Sequence, residues 1–421
     1  MQPLPGFRDL FPEDCARRNY ILQLWRATAR RYAFVEYDGP VVEPLALYEK
    51  KSGGELVGQL FGVTPLKEGS STKGALRPEM TPTLVRMVAA RQGEFRKPLR
   101  WFCVPQFFRH ERQQRGRGRE FYQLNCDIIG EAGAGGDAEL IAVLIDSLRA
   151  FGFTGTDVVV RLSSRTAWLG FFHENARHPE GAKITDLDEY TFLQAVDKAE
   201  RAKPEVTEAA LAPYGIPHAK VMEFMRSKTP TAELVAVLAD LQARGLGAYV
   251  EIDYAIVSGL AYYTGVVFEA FDRGKRERAL AGGGRYDTLL GLLSDGETSL
   301  PALGFGLGDV VLLNLINDTP HAKARMDAAL AAESPTEIYL IIAREERRPD
   351  ALALAQRLRD SGKRVDFPLA PSKVGKQFQA AEAQQARIAI LLGDEWPQVK
   401  VKTLATREEL LMDLDQACAS L

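Results

Sequence analysis

Two strand-like runs, residues 100–108 (RWFCVPQFF) and 121–130 (FYQLNCDIIG), are separated by the segment RHERQQRGRGRE, and this arrangement constrains the chain more than any other feature. Aromatic and β-branched runs of this length read as strands. The segment between them is too polar and too glycine-punctuated to lie in a core. Together they predict a long hairpin whose loop carries the charge. Arg109 follows the first strand directly, so its backbone is fixed there, and a guanidinium so held can grip a carboxylate or phosphate through two parallel hydrogen bonds. Glu111 can orient that arginine or accept from an adenine amino group. Arg115, Arg117 and Arg119 alternate with glycines on an exposed loop. The plainer reading of the segment is a solvated charged loop.

Two further segments combine chemistry-bearing residues with unusual backbone. In Leu76-Arg77-Pro78-Glu79-Met80-Thr81-Pro82 a carboxylate sits at a predicted helix start beside a threonine. It can accept from an ammonium group, or merely complement the helix dipole. Downstream, Gly259-Leu260-Ala261-Tyr262-Tyr263-Thr264-Gly265 precedes Gly282-Gly283-Gly284-Arg285-Tyr286-Asp287. Three consecutive glycines between strands let backbone approach a ligand closely, yet they form neither a dinucleotide-binding nor a Walker loop. The tyrosines can line a pocket for a flat ring, or pack as aromatic core beside a tight turn.

Around these segments the periodicity predicts a helix over 12–33, a strand over 32–44 broken at Gly39-Pro40, a loop or hairpin over 57–76 and a helix over 78–90. It also predicts a helix over 135–151 and a strand in DVVVRLS. Residues 186–245 read as an inserted helical subdomain cut by Pro204, Pro213 and Pro217. Strands resume at AYVEIDYAIV and TGVVFEAF, and the buried run LGFGLGDVVLLNLI follows. Residues 318–335 have a linker-like composition. Beyond them strands and helices alternate in a small α/β unit over 336–421. With 421 residues the chain exceeds one ordinary domain, so a core over 1–317 and this second unit are expected.

Bulk charge limits the partners. The net charge of -3 excludes an RNA-binding mode that rests on overall basicity; any RNA must be held by local charge and shape. Neither DNA nor a membrane is an expected partner, since no apolar run approaches the length of a span. Cys15, Cys103, Cys126 and Cys418 form no CxxC pair, so neither a zinc site nor a disulfide framework is expected, and the protein is expected to be cytoplasmic.

Taken in order, these segments resemble the histidyl-tRNA synthetases. LRPEMTP looks like that family's LRPE-x-T segment, and FRHERQQRGRGREFYQLNCDIIGE like class II motif 2 in its histidyl form. GLAYYTGVVFE and GGGRYD look like the two histidine-site segments. GPVVEP resembles motif 1, which packs the dimer interface in the family, and the C-terminal unit resembles the anticodon-binding domain. The resemblance implies an α+β class II catalytic core, an antiparallel sheet flanked by helices, with a helical insertion and an anticodon-binding-like domain. It implies a homodimer that activates histidine with ATP, aided by Mg²⁺, and transfers it to tRNA(His). Mapped residue by residue, Arg109 is the catalytic cation at the α-phosphate and histidine carboxylate. Glu79, Thr81, Gln123, Asp127, Tyr262, Tyr263 and Tyr286 hold histidine. Arg109, Glu111, Arg117, Arg119 and Phe121 hold ATP, and no residue binds a structural metal. A carboxylate at Asp127 fits this role, because pairing with the imidazole N–H rejects rings that lack it.

The chain departs from the pattern at two cations. The family's Arg-Gly-Leu-x-Tyr-Tyr reads Ser258-Gly259-Leu260-Ala261-Tyr262-Tyr263 here. Motif 3, which usually ends Gly-x-Glu-Arg, reads Gly306-Leu307-Gly308-Asp309-Val310. Losing preorganised charge at a reacting phosphate commonly costs on the order of 10²–10³ in rate. Arg112, Arg115, Arg117, Arg285 or Mg²⁺ can substitute. The alternative is a non-catalytic paralogue that binds histidine, like the regulatory subunit of ATP phosphoribosyltransferase.

Overall fold

A computed structural model describes residues 2–49, 58–64, 73–111, 116, 118–177, 184–200, 202–257, 262–274, 276–333 and 335–420. The chain divides into two compact units, residues 1–326 and 327–421. In the first, β1 (Val35–Glu36) is followed by a small sheet of β2 (Val42–Pro44), β3 (Gly62–Val63) and β4 (Gly74–Leu76). The main sheet continues with β5 (Leu99–Cys103), β6 (Gln106–Phe108), β7 (Glu120–Ile129), β8 (Val158–Ser164), β9 (Val250–Ile252), β10 (Val266–Asp272), β11 (Ala281–Arg285) and β12 (Ala302–Gly308). Its order is β1-β5-β7-β12-β11-β10-β8-β9, with β6 pairing β7. The central pairings are antiparallel, and only the outer pairs β1–β5 and β8–β9 are parallel. This is the expected α+β core, and β6–β7 is the expected charged hairpin.

The helix Pro12–Arg31 starts on a proline, carries Glu13 and Asp14 in its first turn and ends on Arg30 and Arg31. Each feature favours a helix with that polarity. It buries Ile21, Leu22, Trp25 and Ala29 and packs on the helix Ala134–Arg149, which is apolar nearly all round and lies against the sheet. The helix Thr81–Arg91 begins three residues later than the sequence suggests, with Pro82 in its first turn. It is tied to the segment after Gly39 by Glu43, whose buried carboxylate accepts from Thr83 Oγ1 at 2.9 Å and from Arg86 at 2.6 Å.

The helical block contains the helices Asp186–Lys198, Pro204–Leu211, His218–Ser227 and Ala232–Ala243. Thr185 and Asp188 form a reciprocal cap at its start. Its aromatic core also recruits the helix Arg165–Asn175, upstream of the expected start. Trp168 is fully buried, packs edge-on against Phe224 at 4.7 Å and donates from Nε1 to the Tyr254 carbonyl at 3.0 Å.

The stretch 318–335, expected as a linker, is largely the helix Pro320–Ala332. Its alanines favour helix, and its first half packs on the first unit through buried Ala322 and Met326. The second unit holds β13 (Ile338–Ile342), β14 (Val365–Asp366), β15 (Ile388–Leu392), β16 (Gln398–Thr403) and β17 (Glu409–Asp413) in the order β14-β13-β15-β16-β17. Ile338, Leu340 and Ile342 face one core and Tyr339 and Ile341 another. The uninterrupted apolar run is thus that of a strand covered on both faces. β17 and the helix Leu414–Ser420 had no clear signal in the sequence.

Candidate active site

One face of the central sheet carries two adjoining cavities, of about 400 and 540 Å³, that share Arg109, Gln123, Glu269, Gly282 and Gly306. The smaller one is lined by all seven residues assigned to histidine: Glu79, Thr81, Gln123, Asp127, Tyr262, Tyr263 and Tyr286. Gln123, Asn125 and Asp127 lie two apart on β7, so their side chains leave the same face. Opposite them in the register, Gly308, Gly306 and Gly304 of β12 provide a floor without side chains. A Cβ at Gly304 would overlap the Asp127 carboxylate, and one at Gly306 the Gln123 amide. In the run of glycines on β11, Gly282 faces the cavities, while a Cβ at Gly283 would lie 2.6 Å from the Gly304 carbonyl.

Asp127 is buried and accepts from the Tyr286 hydroxyl at 2.5 Å. Tyr262 packs edge-on to Tyr286 at 6.1 Å and against Tyr263 at 5.1 Å. Burial pushes all three phenols well up, and the charges of Asp127 on Tyr286 and of Glu79 on the other two add to it. They are therefore neutral hydrogen-bond donors. Asn125 Oδ1 is buried in the same wall with no hydrogen-bond partner among the described residues, an acceptor that suits a ligand N–H.

Glu79 is positioned by its neighbours. Arg77 is buried and donates to Asp38 Oδ1 and the Gly39 carbonyl at 2.8 Å each and to the Gln106 carbonyl at 3.0 Å. This latch fixes the LRPE segment between the strand-like stretch before it and the hairpin. Arg109 donates from Nε to the Pro78 carbonyl at 2.8 Å and lies over the Phe121 ring at 5.1 Å, an arrangement that orients the rest of the guanidinium toward the junction of the two cavities.

The larger cavity is lined by Arg109, Glu111 and Phe121, three of the residues assigned to ATP. Arg119 is not in its wall; its guanidinium donates to the Pro5 carbonyl at 3.2 Å, and its stem packs on Gly6. Arg117, Arg112, Arg115 and Ser258 lie outside the described residues. Arg285 does not face either cavity. It is buried in an ion pair with Asp137 at 2.7 Å and donates to the Glu131 and Gly133 carbonyls. Asp309, read as replacing an arginine, also turns away: it accepts from the Tyr122 amide at 2.9 Å and pairs with Arg8 at 3.5 Å. The cavity wall is instead formed by Val310 and Val311.

Three polar lining residues were not singled out from the sequence. Asn125 was visible in principle, since alternation from Gln123 to Asp127 places it on the same face. Glu269 is in β10, opposite Gly282, and Arg278 follows that strand; only the sheet order brings these two to the site.

Comparison with known proteins identifies the family and the fold. The family model for histidyl-tRNA synthetase matches residues 6–308, and that for the anticodon binding domain matches residues 337–421. A histidine–tRNA ligase of Opitutus terrae is 40% identical, with 99% of this chain and 97% of that protein aligned. One from Leptospira biflexa is 32% identical, over 98% and 95% of the two chains. The crystal structure of histidyl-tRNA synthetase from Nostoc sp. PCC 7120 superposes with a TM-score of 0.76 at 22% identity, covering 99% of this chain and 97% of that one, and shares the fold. With matches that span both units and nearly every residue, this chain belongs to the histidyl-tRNA synthetase family.

Proposed function

We propose that the chain is a histidine–tRNA ligase in which the 400 Å³ cavity holds histidine and the 540 Å³ cavity holds ATP. Membership of the family makes it an aminoacyl-tRNA synthetase that uses ATP. The observation that carries the site assignment is the sharing of Arg109 by both cavities. A carboxylate in one and an α-phosphate in the other then meet at a single guanidinium. The carboxylate oxygen attacks the α-phosphorus, the bond to the β-bridging oxygen breaks, and pyrophosphate leaves with the electron pair. Arg109 holds nucleophile and phosphate together, which lowers the entropic barrier, and neutralises charge that grows in the transition state. Glu79 accepts from the α-ammonium group, Asp127 and Asn125 accept from the imidazole N–H side, and the tyrosines enclose the ring. Phe121 and Glu111 receive the adenine. The second step passes the histidyl group to the terminal adenosine of tRNA(His), with the second unit contacting the anticodon region.

Mg²⁺ is proposed as a companion of ATP. Among the described residues no group of three His, Cys, Asp or Glu could hold a metal unaided. With Glu111 given to the adenine, Glu269 is the described lining carboxylate that would share it with phosphates and water, the usual ligand set of this ion; it would supply charge neutralisation. A homodimer is proposed because Val41 and Val42 of the GPVVEP segment, with Val35 before it, expose apolar surface, as an isologous interface requires. No described helix is long and apolar enough to cross a membrane, and a cytoplasmic location is proposed.

Histidine-dependent ATP–pyrophosphate exchange followed by charging of total tRNA tests the reading. Exchange driven by histidine and by no other amino acid is expected. Histidine binding without any exchange would overturn the ligase reading in favour of a binding paralogue.

A further inference from the structure

We propose that Arg278 is a further cation of the nucleotide site and contacts the β- and γ-phosphates of ATP, an assignment that rests on the ligase reading above. The larger cavity is lined by the carboxylates Glu111 and Glu269 and, among its described residues, by two cations, Arg109 and Arg278. These four charges cancel, so among the described residues a bound triphosphate meets its counter-charge through the orientation of those two cations. Arg109 is committed to the junction with the histidine cavity, where the α-phosphate must lie. The remaining phosphates extend along the floor toward β11 and β10, and that end is where Arg278 stands.

Its backbone is held on both sides. Two residues before it, Arg276 is gripped by buried Asp272, through Nε at 3.1 Å, NH2 at 3.1 Å and its amide at 2.8 Å, and donates from NH1 to the Asp318 carbonyl at 2.9 Å. Two residues after it, Leu280 donates its amide to Ala270 at 2.8 Å, and its carbonyl accepts from Gly308 at 3.2 Å. A guanidinium on a connection clamped in this way loses little freedom on meeting a ligand. The facing wall explains the need for it. Val310 and Val311, in the first turn of the helix Asp309–Asp318, line the cavity with apolar groups. Gly116, between β6 and β7, lies against the same wall, so near that a Cβ there would lie 3.1 Å from Val311 and 3.6 Å from Glu277 Oε2. A cation from the connection between β10 and β11 thus reaches a volume that the helix leaves uncharged.

The role is expressed as pyrophosphate departs. When the α-phosphorus–oxygen bond breaks, its electron pair goes to the β-phosphate oxygen, and Arg278 stabilises the charge that develops there. The test uses the full chain with Arg278→Ala and Arg278→Lys, read by histidine-dependent pyrophosphate exchange, by ATP and AMP affinity, and by the thermal shift with histidine. Arg278→Ala should lower exchange on the order of 10²–10³-fold and weaken ATP while leaving AMP affinity and the histidine shift unchanged. Arg278→Lys should recover part of the exchange, because a point charge replaces a fork. Exchange and ATP affinity within threefold of wild type would overturn the proposal. A loss of AMP affinity as large as that of ATP would also overturn it, since Arg278 would then serve the nucleoside end. If wild type itself gives no exchange, the ligase reading fails separately, and the ATP-against-AMP comparison alone decides Arg278.

Discussion

The Tyr286 hydroxyl donates to Asp127 Oδ1 at 2.5 Å across the wall of the smaller cavity, linking the end of β11 to β7 with both side chains buried. The bond fixes the carboxylate in the cavity wall. Tyr286→Phe removes the donor without changing shape, so a buried charge loses one of its partners. The expected cost is about 1–3 kcal/mol in histidine binding, read as a rise in the KM for histidine of roughly five- to a hundredfold in pyrophosphate exchange. The KM for ATP should hold. An unchanged histidine KM would remove Asp127 from the ring site.

Gly304 faces Asp127 in the register of β12 and β7. An alanine there places its methyl against the carboxylate and 3.2 Å from the Cys126 carbonyl, so Asp127 must rotate off Tyr286. Gly304→Ala should therefore abolish the stabilisation by histidine in a thermal-shift assay. The free protein should lose about 1–3 kcal/mol, the usual cost of overpacking. A full histidine shift in this variant would show that the carboxylate is not the imidazole partner.

Asp137 is buried beside Arg285, and burial pushes its carboxyl up to about 6 against the attraction of that guanidinium. Between the ordinary carboxylate value and about 6 the folded chain keeps a proton that the unfolded chain has released. Stability owed to this group therefore falls as pH rises through that window and is level above it. The stability of wild type minus that of Asp137→Asn, measured by thermal unfolding, should fall from pH 4 through about pH 6 and level off above pH 7. A difference that grows over the lower interval would show that pairing with Arg285 outweighs burial.

The second unit has its own two-sided core on β13. Residues 335–421 expressed alone should fold cooperatively, since the unit contains every strand of its sheet. Removing them should lower kcat/KM for tRNA on the order of a hundredfold, the scale of losing one of two linked contacts. Pyrophosphate exchange should change less than threefold. An equal loss of both activities would mean that the units do not divide binding and chemistry in this way.

The sequence by itself determined the parts whose signal is local. The charged hairpin, the strand–helix alternation of the second unit and the helix Pro12–Arg31 follow from periodicity, caps and turn residues acting over a few positions. The family followed from the order of motifs. The seven residues proposed for histidine sit in those motifs, and the fold brings them to one cavity. What needed the tertiary structure was the choice of which charge faces which cavity. Arg285 and Arg278 are both arginines near the same glycine run, yet the first pairs with Asp137 and backbone carbonyls, while the second lines the larger cavity. Likewise Asp309 and Val311 are two residues apart on one helix, and its 3.6-residue turn sends one toward Arg8 and the other into the cavity wall. Chain order cannot express that difference, because it depends on neighbours more than a hundred residues away. The helix Pro320–Ala332 was missed for the opposite reason: its polar composition resembles a linker, and its helical form rests on alanine propensity and on burial of Ala322 and Met326 against the first unit.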